Sequence, residues 1–368
     1  MKSAFAWHMP VELRFGAGCS AELSRELGAR SAVVLAFEHA TALGLDLPWL
    51  AALGDRLLDW VPVADGLSSI ARARVLAGRV WPLLAARPGC VIVAVGGGTT
   101  LDLAKVLRCR PADGRFDSLA AALRGSAPWP ALDLAPLWLL PTTAGTGSEV
   151  TRWATVWDTE AEPAVKRSLD EPWGYAQRAY IDPALTLSCP AAVTRDTALD
   201  TLAHALEALW NRHANPMSDR LAVSAARRVL ATLPTCLRQP HELSLRTELS
   251  LAALEAGLAF SQTRTALAHA LSYAVTLEQD VPHGLACAIW LPTAWQLALG
   301  HDARVDARLS EVFAIDARQG RIRLQAWLKD LGVDAKPQAF GIGDADARVQ
   351  AALTSPRGRN FVGALNTA

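Results

Sequence analysis

The stretch from Asp196 to Gly284 constrains this chain more than any other part of it. It holds Asp200-Thr201-Leu202-Ala203-His204, then His269-Ala270-Leu271-Ser272-Tyr273, then Pro282-His283-Gly284. Asp200 and His204 are four residues apart in an Ala/Leu-rich run, so a helix carries both side chains on one face, one turn apart. His269 lies in a second run of the same character, and His283 follows Val281-Pro282 just before another apolar segment. One carboxylate and three imidazoles make a nitrogen/oxygen donor set suited to iron or zinc rather than calcium or magnesium. A single helical histidine is ordinarily a surface or hydrogen-bonded core residue. These separate stretches therefore act as one site only in a fold that brings them together.

The first half of the chain reads as the apparatus for a nucleotide. Val11 to Phe15 is a strand that runs into Gly16-Ala17-Gly18 and a helix over Ser20 to Leu27. Ser31 to Phe37 and Cys90 to Val95 are continuous apolar runs, the pattern of strands covered on both faces. Leu58 to Val63 is another strand candidate, and Ser68 to Ala86 has helical spacing. Strands alternating with helices in this way describe a parallel α/β sheet. Directly after Val95 comes Gly96-Gly97-Gly98-Thr99-Thr100-Leu101-Asp102-Leu103-Ala104-Lys105. Glycines at a strand-to-helix turn let backbone N–H groups approach a phosphate, and the helix start adds partial positive charge. Asp102 and Lys105 are placed either to reach ribose hydroxyls or to close the turn. A second loop, Pro141 to Glu149, follows the strand ending Trp138-Leu139-Leu140 and offers Thr142, Thr143, Thr146 and Ser148 hydroxyls with exposed amides. Thr151 to Trp157 and Ala179 to Asp182 are further strand candidates. From Pro190 the character changes to Ala/Leu-rich helical spacing, with Thr194 as a candidate cap. The domains are then residues 1–187, α/β and dinucleotide-binding, and 188–368, helical and metal-binding. Ala352 to Ala368 either folds back near the site or is loosely ordered.

Composition narrows the function class. The 36 basic and 36 acidic residues cancel, which favours neither nucleic acid nor a membrane surface as partner. The 6 cysteines are scattered without a C-x-x-C pair, as for thiols of a reducing compartment. With no signal-peptide pattern and no apolar run of membrane-spanning length, a cytoplasmic protein is expected.

The motifs together resemble the iron-containing (group III) alcohol dehydrogenase family, whose wider fold group includes glycerol dehydrogenase and dehydroquinate synthase. The residues that carry the resemblance are P-V-E-L-R-F-G-A-G, G-G-G-T-T-L-D-L-A-K, P-T-T-A-G-T-G-S-E-V-T, D-T-L-A-H-A-L-E and V-P-H-G-L-A-C-A. They appear in the family's order over roughly residues 10 to 300. The resemblance implies an α/β nucleotide domain, an all-α C-terminal domain, an active site in the cleft between them, and a homodimer or higher homo-oligomer. It implies that Asp200, His204, His269 and His283 hold Fe²⁺ or Zn²⁺. Gly97, Gly98, Thr99 and Asp102 would meet the diphosphate and ribose of NAD or NADP. Thr142, Thr143, Thr146 and Ser148 would line the nucleotide loop, and Lys166 would approach a ribose hydroxyl. The implied reaction is hydride transfer between NAD(P)H and a small aldehyde or primary alcohol, with the metal polarising the substrate oxygen.

Two positions depart from the family pattern. The histidine expected four residues after His269, thought to relay a proton, is Tyr273, which is either a donor near the metal or a packed aromatic. The acidic residue expected after the second strand is Phe37, with Glu38 next. Glu38 turned inward implies NAD(H); turned away, it leaves NADP(H) open. The segments T-R-W-A-T-V-W-D, K-R-S-L-D and T-R-T-A-L-A-H-A-L-S-Y are most similar to the phosphonoacetaldehyde reductase branch. For such an anionic substrate Arg152, Arg264, Lys166 and Arg357 are candidate counter-charges. Maleylacetate reductase, or a dehydroquinate-synthase-like lyase on the same fold, is the alternative.

Overall fold

In a computed structural model the chain is described over residues 4–45 and 47–364. It forms two compact units. One comprises Met9–Thr143 and Ser148–Ser188; the other gathers Cys189 onward with Ala144–Gly147 and the segment up to His8.

The α/β unit carries strands β1 (Glu12–Phe15), β2 (Ala32–Phe37), β3 (Leu57–Val63), β4 (Val91–Gly96), β5 (Cys109–Pro111), β6 (Leu132–Leu134), β7 (Leu137–Pro141), β8 (Trp153–Asp158), β9 (Val165–Asp170) and β10 (Arg178–Ile181). Its helices are α1 (Leu23–Leu27), α2 (Pro48–Ala51), α3 (Ile70–Ala86), α4 (Gly98–Leu107) and α5 (Phe116–Arg124). Six strands form a sheet in the order β1-β10-β7-β4-β2-β3, every pair parallel. The continuous apolar runs occupy its centre: β4 and β7 are buried along their whole length, and β2 all but its last residue. β3 lies at an edge, where Pro62 removes no central ladder bond. Two antiparallel pairs, β5–β6 and β8–β9, stand apart from this sheet. The expected helix over Ser20 to Leu27 divides into a 3₁₀ turn, Cys19–Glu22, and α1. Gly18 enters that turn at φ 80°.

The helical unit contains α6 (Ala191–Leu209), α7 (Pro216–Arg238), α8 (Leu243–Thr263), α9 (Leu267–Gln279), α10 (His283–Ala288), α11 (Leu291–Ala298), α12 (Ala303–Phe313), α13 (Ala317–Asp330) and α14 (Ala345–Thr354). Every residue from Ala198 to Leu209 is buried, Asp200, Thr201, His204 and Glu207 included, so α6 is the central helix of this unit and carries polar groups into its interior. It starts at Ala191, three residues ahead of Thr194. Thr194 is therefore interior to the helix instead of capping it: its hydroxyl donates to the Cys189 carbonyl at 3.3 Å and accepts from Arg246 at 2.7 Å. α7 opens with a capping box between Asn215 and Ser218, with Pro216 at its first position. The final segment folds back: Phe361 is fully buried and bridges Asn211. Among the described residues no helix is long and apolar enough to cross a membrane.

Candidate metal centre and nucleotide loop

Three helices of the helical unit supply the site. Asp200 and His204 project from α6 one turn apart, with His204 Nε2 3.8 Å from Asp200 Oδ1. His269 from α9 brings its Nε2 to 3.5 Å from the same oxygen. His283 is the first residue of α10, and Cys287 follows one turn later with Sγ 3.9 Å from His283 Nε2. One donor atom each from Asp200, His269, His283 and Cys287 lie within 4.8 Å of one another. The His204 ring stacks on Phe260 at 4.0 Å and on His269 at 4.7 Å, which fixes its plane.

Backbone packing sets this arrangement. A Cβ on Gly284 would fall 1.8 Å from the Asp196 carbonyl and 3.0 Å from Asp200 Cβ, so only glycine lets α10 lie against α6 at the level of Asp200. Glu207, fully buried and nearly two turns beyond Asp200, orients the opposite side. Its carboxylate faces His269 Nδ1 at 2.6 Å and accepts from the Ala266 and Ala268 amides. A proton on Nδ1 leaves the Nε2 lone pair directed at Asp200, the role an outer carboxylate plays behind a ligating histidine.

The donor set fits a divalent cation on its own terms. Asp200 Oδ1, His204 Nδ1 and His269 Nε2 are buried without a well-formed hydrogen bond, Asp200 Oδ1 and His269 Nε2 facing each other at 3.5 Å. Such orphans are uncommon in native interiors, and a bound cation removes the desolvation penalty of the acceptors that face it. Burial pushes the Asp200 carboxyl up, yet His204, His269 and His283 outweigh it and hold the group below the usual carboxylate range. Burial takes His204 down to about 4 against the opposing pull of Asp200, so its ring is neutral and able to ligate near neutrality. Burial opposes charge on His269, but Cys287, Glu207 and Asp200 together move it well above the ordinary value. Metal binding would displace that proton.

In the α/β unit the glycine turn is built for close approach. A Cβ at Gly96 would meet Thr100 Oγ1 at 2.6 Å, so the turn closes on the helix only without a side chain. Gly97 caps α4 and has no side chain of its own to bond the first N–H groups, leaving Gly98 and Thr99 at an amide-rich helix start suited to an anion. Thr99 Oγ1 donates to the Gly66 carbonyl at 3.0 Å. Thr142 N donates to the Gly96 carbonyl at 3.1 Å, which joins the second loop to the first, and Thr143 lies 3.5 Å from the position of a Gly97 Cβ.

Asp102 is committed within the chain. Ser148 Oγ donates to it at 2.7 Å and Thr155 N at 2.8 Å. Desolvation lifts its carboxyl above the ordinary range despite Lys105 and those two donors. Lys105, fully buried, donates to the Thr151 and Trp153 carbonyls, each at 2.7 Å, so the pair closes the turn. Thr146 belongs to the Ala144–Gly147 segment, which groups with the helices; there Thr201 Oγ1 donates to the Ala144 carbonyl at 3.2 Å. Lys166 on β9 sits 5.9 Å from the centre of the Trp157 ring, its cross-strand partner.

Of the candidate counter-charges, Arg152 is paired with Asp170 at 2.8 Å. Arg264 ends α8 at φ 69°, its carbonyl accepting from Asn211. Arg357 donates to Thr265 at 2.6 Å and stands 5.6 Å from the centre of the Tyr273 ring. That ring lies nearly parallel to His283 at 6.3 Å. Glu38 is exposed at the end of β2 and accepts from the Asp65 amide at 2.7 Å. Glu207 and Cys287 are the residues sequence reasoning passed over. The signals were a lone carboxylate in the apolar run Ala203–Leu209 and, from His283 to Cys287, a repeat of the four-residue spacing of Asp200 and His204.

Comparison with known proteins gives the same architecture a family. The family model for iron-containing alcohol dehydrogenase matches residues 10–183, and that for the C-terminal part of the Fe-containing alcohol dehydrogenase family matches residues 194–352. The chain belongs to the iron-containing alcohol dehydrogenase family. It is 30% identical to the 1,3-propanediol dehydrogenase of Citrobacter freundii over 74% of this chain and 71% of that one. It is 32% identical to the probable alcohol dehydrogenase EutG of Escherichia coli (strain K12) over 68% of this chain and 66% of that one. Against EutG of Salmonella typhimurium the match spans 50% of the relative's length, and against the choline dehydrogenase of Bacillus subtilis 61%. The fold is that of solved relatives. A sulfoacetaldehyde reductase from Bifidobacterium kashiwanohense in complex with NAD⁺ superposes with a TM-score of 0.87 at 24% identity, covering 97% of this chain and 94% of that one. A 1,3-propanediol oxidoreductase does so with a TM-score of 0.81 at 23% identity, covering 98% and 96%.

Proposed function

We propose that this protein is a metal-dependent oxidoreductase that moves hydride between NAD(H) and a small aldehyde or primary alcohol carrying an anionic group, phosphonoacetaldehyde being the type. The observation that carries the reading is the convergence of donor atoms from Asp200, His269 and half-buried His283, with His204 one turn from Asp200 and 3.8 Å from its Oδ1, in a chain of this family. A divalent ion held by those four residues supplies a Lewis acid for the developing alkoxide charge, and a bound nicotinamide supplies the hydride. The chain's own part is to place and to shield. Glu207 keeps His269 in the tautomer that ligates. The amides of Gly98 and Thr99 take the diphosphate, with Thr142 and Thr143 beside them. Thr146, Ser148 and Lys166 complete the nucleotide loop, and Asp102 acts by holding Ser148 and the Thr155 amide in place.

Tyr273 is the proton donor of this reading, its ring near parallel to His283 and within cation–π range of Arg357. Arg357 is also the favoured counter-charge, because Arg152 already pairs with Asp170. Glu38 is exposed, which by itself leaves NADP(H) open, but donor atoms of Glu38 and Asp65 lie within 4.8 Å of one another with His39 against both, and two acidic groups there disfavour a ribose 2′-phosphate and favour NAD(H).

The test is an NADH and NADPH oxidation screen with neutral and anionic aldehydes on Fe²⁺- or Zn²⁺-reconstituted protein. Net NADH consumption with anionic aldehydes is expected, with KM for these, and not for neutral ones, rising in Arg357→Ala. No turnover with any aldehyde would overturn the reading, and conversion without net NADH consumption would point to the lyase class.

A further inference from the structure

α10 presents a second pair of possible donors with the spacing of Asp200 and His204. His283 and Cys287 are four residues apart, on one face and one turn apart. Cys287 is fully buried, and its sulfur lies 3.9 Å from His283 Nε2. It also lies within 4.8 Å of a donor atom on Asp200 and on His269. Metal–donor bonds of roughly 2.0–2.3 Å put neighbouring ligands of one ion about 2.8–3.8 Å apart, and a trans pair up to about 4.6 Å. The His269–Asp200 separation of 3.5 Å falls in the neighbouring range, and the Cys287–His283 separation of 3.9 Å just beyond it. Among the described residues no other cysteine joins such a group of donors.

We infer that Cys287 is a further donor to the ion held by Asp200, His204, His269 and His283, giving the centre a thiolate alongside its carboxylate and imidazoles. The inference rests on the metal reading above and deepens it. A soft anionic sulfur shifts the preference of the centre toward zinc and cobalt and away from manganese and magnesium, for which oxygen donors are the better match. It also brings a second negative charge to the ion beside Asp200, which offsets part of the positive charge of the loaded centre.

Cobalt reports both parts of the claim without reference to turnover. The full-length protein is stripped with a chelator, loaded anaerobically with Co²⁺ and followed by absorption. The expected spectrum has visible d–d bands and, in the near ultraviolet, a thiolate-to-cobalt charge-transfer band. That band is lost in Cys287→Ser and kept in Cys236→Ser, whose thiol is buried on α7. Cobalt bound with d–d bands but no charge-transfer band in the unaltered protein would overturn the thiolate donor and leave the carboxylate–imidazole site standing. Failure to bind cobalt, or binding unchanged in Asp200→Ala, would overturn both. Because the unaltered protein alone separates these outcomes, the claim remains exposed even where Cys287→Ser fails to fold.

Discussion

At the scale of single residues, the decisive side chain behind the metal centre is Glu207. It faces His269 Nδ1 and takes the backbone N–H groups of Ala266, Ala268 and His269 at the start of α9, so its loss strips partners from several buried donors at once. Glu207→Ala should destabilise the protein by about 3–5 kcal/mol, the range for a broken buried charged pair. Glu207→Gln keeps the volume and one acceptor, and is expected to lower metal affinity roughly 10- to 100-fold with a smaller loss of stability. Chelator competition and urea denaturation separate the two effects. A Gln variant that holds metal as tightly as its parent would remove Glu207 from the centre. Tyr273 poses the opposite question, since its ring has an imidazole at 6.3 Å and a guanidinium at 5.6 Å whatever its hydroxyl does. As a proton donor it should lose at least roughly tenfold in kcat on Tyr273→Phe, with an altered pH profile. An unchanged rate and profile would make it a packed aromatic.

Among the elements, α10 is the one whose position decides the site, and Gly284 is the residue that decides α10. Adding a methyl group where the Asp196 carbonyl already stands 1.8 Å away must push α10 off α6 and take His283 and Cys287 with it. Gly284→Ala should cost about 1–3 kcal/mol of stability, as overpacking does, and abolish stoichiometric zinc binding. A Gly284→Ala protein with parental stability and full zinc content would contradict this packing. Nothing in the sequence names that contact, because it depends on which helix α10 meets. The elements that were legible are those whose burial is uniform. β2, β4 and β7 are continuous apolar runs because helices or strands cover both their faces. The ones passed over are amphipathic or short. β9 reads Val-Lys-Arg-Ser-Leu-Asp and is only partly buried save for Leu169, so its pattern resembles a polar loop. β5 and β6 have 3 residues each, too few for any periodicity. The four ligand candidates were visible from residue type and spacing. Glu207 was hidden by the ordinary look of a glutamate in a helix, and Cys287 by the scatter of the other thiols.

For the molecule as a whole, 36 acidic and 36 basic groups cancel, so global repulsion contributes little near neutrality, and buried charges shape the dependence of stability on pH. The α/β unit buries two of them close together. Burial lifts Glu149 from 4.5 to about 7, against the pull of its own amide and Lys105. Burial likewise lowers Lys105 from 10.5 to about 8, with Asp102 and Glu149 opposing. For Glu149 the folded state holds a proton that the unfolded chain has released between pH 4.5 and about 7, so stability falls as pH rises through that window. Below it both states are protonated and the group is silent. For Lys105 the unfolded chain binds the extra proton between about pH 8 and 10.5, so stability rises with pH there. His204, lowered from 6.5 to about 4, adds a rising slope between those values that opposes the Glu149 slope in the parent, so the Glu149 contribution is read from a variant difference. Glu149→Gln cannot ionise and should escape the first slope. Its stability relative to the parent should climb between about pH 4.5 and 7 and level off at a gap of about 3 kcal/mol. Urea midpoints for parent and variant across about pH 5 to 9 check this, because charges elsewhere cancel in the difference. Parallel curves would mean that Glu149 carries its charge as easily folded as unfolded.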